Sequence, residues 1–151
     1  MAQNIFTEAD YYSIVLRINR LTAQSQRRWG KMNLAQMLEH CAVQLKLGLG
    51  ILPVTKTEGI FLYRTAPGRW LSLFVIPWPN GFQTPSAMNM LTNHMPVASF
   101  DEEKVQLLTL LQQVIQKQSL ARHPFYGPLN KKDWGRLIWV HLDHHLRQFS
   151  Q

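Results

Sequence analysis

Four times along this chain a residue suited to capping a helix N-terminus stands three positions before an acid or an amide. The pairs are Thr7 with Asp10, Asn33 with Gln36, Ser99 with Glu102, and Asn130 with Asp133. A capping oxygen accepts from a backbone N–H of the first helical turn, and a Gln or Glu at the third position reaches back, so the two middle pairs read as capping boxes. Four starts imply four helices, over about 8–21, 34–48, 100–118 and 131–148. Helical spacing then turns Tyr11, Tyr12, Val15 and Ile18 inward on the first, and Leu34, Met37, Leu38, Cys41 and Leu45 on the second. On the third it selects Leu107, Leu108, Leu111, Val114 and Ile115.

The fourth segment carries the chemistry. At about 100° per residue, His141 and His145 stack one turn apart within an apolar stripe of Trp134, Ile138, Leu142 and Phe149. Arg136, Asp143 and Arg147 point the other way. Burying two adjacent imidazoles costs free energy unless each finds a partner, and neutral histidines at i and i+4 converge well on one transition-metal ion. The bland alternative is a pair of core histidines satisfied by ordinary hydrogen bonds.

Loops of roughly a dozen residues, at the long end for helical bundles, join the first helix to the second and the third to the fourth as antiparallel neighbours. The stretch from Gly50 to Ala98 is different, because it holds six of the eight prolines and cannot be one helix. A crossover of this length lets the second and third helices run in the same direction. Within it, 68–76 reads as a short helix whose Trp70, Phe74 and Trp78 cover one end of the helical core and roof a cavity.

The segments W-G-K-M-N-L-A-Q-M-L-E-H-C, H-P-F-Y-G-P-L-N-K-K-D-W-G-R and H-L-D-H-H-L-R-Q together resemble the DinB/YfiT-like superfamily of metalloenzymes, and more narrowly an uncharacterised branch of it. The resemblance covers nearly the whole chain, most strongly in these motifs and least in the proline-rich crossover. It implies an all-α, four-helix bundle of up-down-down-up topology with its long crossover between helices 2 and 3. It also implies a divalent metal held by His40, His141 and His145, and it makes thiol-dependent transferase or isomerase chemistry plausible.

On its own chemistry His40 is less clear than the C-terminal pair. It sits at the edge of its apolar stripe, beside Gln36, Gln44 and Leu47, where a hydrogen-bonded boundary histidine is equally natural. Gln44 and Gln148, each near one turn from a histidine, are placed to orient an imidazole or a bound water, and His144 reads as a boundary residue supporting the pair. His123, just before Pro124, is expected to fix a turn or line a pocket mouth. Asp143 projects away from the histidine pair, so H-L-D-H-H is not a variant of the H-E-x-x-H protease motif. Cys41 points into the core.

Length and charge bound the remainder. The 151 residues fit one domain, 1–151, and one cysteine excludes an intramolecular disulfide. The N-terminus lacks the pattern of a secretory signal, and no apolar run is long enough to span a bilayer, so a cytoplasmic protein is expected. The net charge of +7 is spread singly or in pairs without a basic, aromatic-interleaved face, which argues against nucleic acid. Three neutral histidines leave a coordination position open on zinc, nickel or iron, the pattern of a catalytic site. The expected function is a divalent-metal-dependent enzyme, a hydrolase or thiol-dependent transferase acting on a small, partly apolar substrate. The candidate partners are that substrate, a low-molecular-weight thiol and a second copy forming a homodimer. Two other classes stay open: a catalytically silent metal- or ligand-binding bundle, and a membrane-surface or partner-binding protein that uses Trp70 to Trp78.

Overall fold

A computed structural model describes residues 2–81, 84–93 and 96–151. It is all-helical, with α1 (Glu8–Arg20), α2 (Leu34–Leu49), a short α3 (Ala66–Trp70), α4 (Phe100–Gln116) and α5 (Lys131–Gln148). The described residues contain no strand, only an isolated bridge between His123 and Gly127. Among them, too, no helix is long and apolar enough to cross a membrane.

Capping chemistry accounts for three of the four long-helix starts. Asn33 with Gln36 and Ser99 with Glu102 form reciprocal capping boxes, and Asn130 accepts from the Asp133 N–H at 2.8 Å. Thr7 departs from expectation. It occupies the N-cap of α1 but makes no side-chain cap bond, and Asp10 instead accepts from the Asn4 N–H at 2.8 Å. At the other end of α2, Gly50 closes the helix in the left-handed conformation (φ 74°), which glycine adopts without a Cβ penalty.

α2 packs most extensively against α4 and also meets α5, while α1 lies against α5 and α4. Their shared core contains Ile14, Ile18, Leu38, Leu45, Leu111, Val114, Trp134 and Ile138, all fully buried. Each such aliphatic side chain contributes about 1.5–3 kcal/mol relative to exposure. The stripe expected on α1 is corrected in phase: Ile14, not Tyr12, faces inward, and Tyr12 is 59% exposed. Residues 11, 14, 15 and 18 follow the regular i, i+3, i+4, i+7 face, which Tyr12 does not share.

α2 is buried almost all round. α4 and α5 cover one side. On the other, the crossover forms a second apolar cluster in which Met88 and Met90 pack on Val43 and Leu47. The charged residues of α2 are accordingly paired. Lys46 donates to Glu39 at 2.8 Å, and Gln106 of α4 bridges Glu39 and Glu103 at 2.7 and 2.8 Å.

The crossover is irregular helix. A 3-10 turn (Phe61–Arg64) leads into α3, which runs on as a π-helical turn (Leu71–Val75), and a further 3-10 turn (Ser86–Met88) returns to α2. Leu73 is buried, Phe74 and Trp78 pack against the core, and Arg136 donates to the Leu73 carbonyl at 2.9 Å. Trp70 is a correction: it is 59% exposed and covers nothing.

Candidate metal centre

α2 and α5 bring the three expected histidines together. The ring centroids of His40, His141 and His145 stand 4.6–4.8 Å apart in a near-equilateral triangle, and one nitrogen from each lies within 4.8 Å of the others. All three residues are buried. His40 is not the boundary residue its stripe position suggests, because Met88 and the crossover close over that side of α2.

The hydrogen bonds assign the imidazole protons. His40 Nδ1 lies 2.8 Å from the Met88 carbonyl, which only accepts, so Nδ1 carries the proton and Nε2 presents a lone pair. Gln148 does the same for His145. Its Nε2 donates to the Trp29 carbonyl at 2.7 Å, which orients the amide and leaves Oε1 to accept from His145 Nδ1 at 3.0 Å. Gly30, at φ 84°, permits this approach, since a Cβ there would strike Gln148 Nε2. His141 completes the set differently. Its Nε2 lies 2.8 Å from His40 Nε2, and its buried Nδ1 has no partner among the described residues.

Electrostatics keep these rings neutral. Burial pulls His40 down to about 4, only partly offset by the Met88 hydrogen bond. Burial likewise holds His141 and His145 well below the ordinary histidine value, reinforced by their histidine neighbours. Neutral imidazoles are the form that ligates a metal. Two lone pairs with fixed tautomers, a third ring whose buried Nδ1 is orphaned, and no carboxylate in the cluster form a donor set suited to a borderline transition-metal ion and not to magnesium or calcium.

The cluster borders a cavity of about 370 Å³ whose wall includes Trp29, Met32, Trp78, Met88, Phe125 and Leu137. The other candidates fall around it. Gln44 borders the cavity, buried, and its Oε1 has no partner among the described residues; it orients neither His40 nor His145, which are held by Met88 and Gln148. His144 is buried and set edge-on to His145 and to Trp29. His123 both fixes a turn and lines the cavity: its Nδ1 accepts from the Phe125 and Tyr126 N–H groups at 3.1 and 3.4 Å, and burial lowers it to about 3. Asp143 takes no part, being engaged by Arg17 of α1 at 2.8 Å and by Arg147 at 2.9 Å. Cys41 is buried in the core, with its thiol pushed up by burial.

Two contributors escape sequence reasoning. The Met88 carbonyl is a backbone group set by a long crossover, and nothing in residue types announces it. Trp29 follows Arg27-Arg28 in a loop, and only its proximity to Gln148 and His144 reveals its place at the site.

An all-helical chain with a buried three-histidine cluster beside an apolar cavity is thus defined. It belongs to the family described as protein of unknown function (DUF1569), whose model matches residues 6–151. No curated protein and no solved structure matches the chain.

Proposed function

We propose that this protein is a divalent-metal-dependent enzyme of the DinB/YfiT-like kind, a cytoplasmic hydrolase or thiol-dependent transferase acting on a small, partly apolar substrate. In this reading residues 1–151 are one domain, and α1, α2, α4 and α5 form a four-helix bundle of up-down-down-up topology, with 50–98 as the crossover. His40, His141 and His145 hold the ion, which is zinc, nickel or iron. The observation that carries the reading is the convergence of three buried, neutral imidazoles, two of them with Nδ1–H groups tied to acceptors, on one point beside the cavity.

A divalent ion held by His40, His141 and His145 would lower the pKa of a bound water or thiol. The chain's own groups supply the rest. Met88 and Gln148 hold His40 and His145 with Nε2 unprotonated, Trp29 and Trp78 wall the cavity, and Gln44 offers an amide to whatever enters. His123 is held with Nδ1 as acceptor, so its remaining proton sits on Nε2, a donor available to a substrate oxygen.

Cobalt substitution tests the reaction class. Titration with low-molecular-weight thiols should produce a sulfur-to-metal charge-transfer band if the substrate set includes a thiol. Hydrolysis of simple esters or amides without such a band would select the hydrolase. Neither response across a broad panel would replace both with a silent metal-binding bundle.

A further inference from the structure

Between Gly59 and Phe100 the sequence contains no Asp or Glu, while Arg64 and Arg69 fall within it. The same stretch carries the largest run of exposed apolar side chains. Ile60, Phe61 and Leu62 are all more than half exposed, Phe61 at 72%, as are Trp70 and Ile76, with Leu71 and Val75 only slightly less so. They belong to neighbouring elements, because the 3-10 turn folds back on α3, where the Leu62 carbonyl lies so close to Gly68 that a Cβ would strike it.

The inner side of this segment is anchored. Tyr63 packs on the Phe125 and Tyr126 rings, Leu73 is buried, and Trp78 donates to the Ser72 carbonyl at 3.1 Å. Trp70, Leu71, Val75 and Ile76 therefore face outward by the geometry of a fixed element. Of the nearby carboxylates, Asp133 is paired with Arg69 at 3.0 Å, while Glu58, held by Ser86, keeps its charge just before the patch. Positive charge remains around the patch. Arg64 lies over the Phe61 ring at 5.6 Å and the exposed Lys132 over Phe74 at 5.7 Å, whereas Arg136 is turned inward to the Leu73 carbonyl.

We infer that the outer face of Ile60–Ile76 docks on an anionic lipid bilayer surface, with Phe61, Trp70, Leu71 and Ile76 entering the headgroup layer and Arg64 and Lys132 meeting lipid phosphates. An exposed aromatic and aliphatic face on a stretch that carries arginines and no acid of its own matches the composition of interfacial segments. Charge selects this occupant over a second copy of the chain, because two chains each carrying +7 would bring like-charged patches together. The docking is independent of the histidine cluster.

Co-sedimentation of the full chain with vesicles of phosphatidylcholine alone, and of phosphatidylcholine with phosphatidylserine, tests it. The protein should pellet with the mixed vesicles at low ionic strength, at least about tenfold more strongly than with neutral ones, and should be released at about 1 M salt, where the Debye length is about 3 Å. The exposed-face variant Phe61→Ser/Trp70→Ser should lose about tenfold or more in binding while keeping the wild-type melting temperature. Arg64→Glu, which leaves the apolar face intact, should lose about fivefold or more. His141→Ala should bind vesicles like wild type, so failure of the metal reading leaves this result standing. Absence of pelleting, equal pelleting with both vesicles, or a salt-resistant dimer that Phe61→Ser/Trp70→Ser converts to monomer would overturn the proposal.

Discussion

His40 Nε2 and His141 Nε2 lie 2.8 Å apart, within hydrogen-bond distance. Because His40 Nδ1 already donates to Met88, the shared proton belongs to His141, and it occupies the place where both rings would otherwise offer lone pairs. An ion held by both nitrogens would take the place of that proton. Alanine at either His141 or His145 should abolish binding measured by titration calorimetry, whereas His144→Ala should weaken it only modestly. Full occupancy in the double His141/His145 variant would remove the assignment.

Gln148 should matter through His145. Gln148→Ala frees the Nδ1–H and the imidazole orientation together, and loss of such a partner typically costs tenfold to about a hundredfold in metal affinity. Gln148→Glu keeps an acceptor and adds charge, so affinity should recover to or beyond wild type. A merely space-filling role predicts that Gln148→Met, which fills similar space without an acceptor, recovers affinity as well.

Metal-free protein should lose stability with acid in a defined direction. Histidines buried neutral have folded-state values below the ordinary 6.5 or so, so the unfolded chain binds more protons between the two. Their stabilisation is complete above about pH 6.5 and is lost as pH falls through about 4 for His40 and about 3 for His123. Each group contributes a slope of up to about 1.4 kcal/mol per pH unit. Urea unfolding across this range should show it, and His123→Asn, which can still accept from the turn, should flatten the slope. An unchanged slope would mean that His123 is not held neutral.

Asp143 provides the opposite control. It ties α5 to α1 through Arg17 with both side chains largely shielded, so Asp143→Asn should cost about 0.5–1 kcal/mol in unfolding free energy and leave metal affinity unchanged. A large loss of binding would place it at the site after all.

α5 was legible to the residue, because its cap, its stripe and its histidines all lie within one helix and depend on local spacing alone. His40 was harder for a physical reason. Periodicity measures which side of a helix is apolar, and α2 is buried on several sides because a non-local crossover supplies Met88 and Met90. The same crossover defeated local reading at Trp70, whose large apolar ring argues for burial although its helix presents it to the outside. Asp143, by contrast, was placed correctly by helical angle alone, and the structure adds only its partner.

Elemental analysis of protein purified without an affinity tag or chelator bears most directly on the central claim. One zinc, nickel or iron per chain, lost in His141→Ala and His145→Ala, is the expected result. Protein that arrives without transition metal, and then takes up none of these ions at neutral pH, would contradict it.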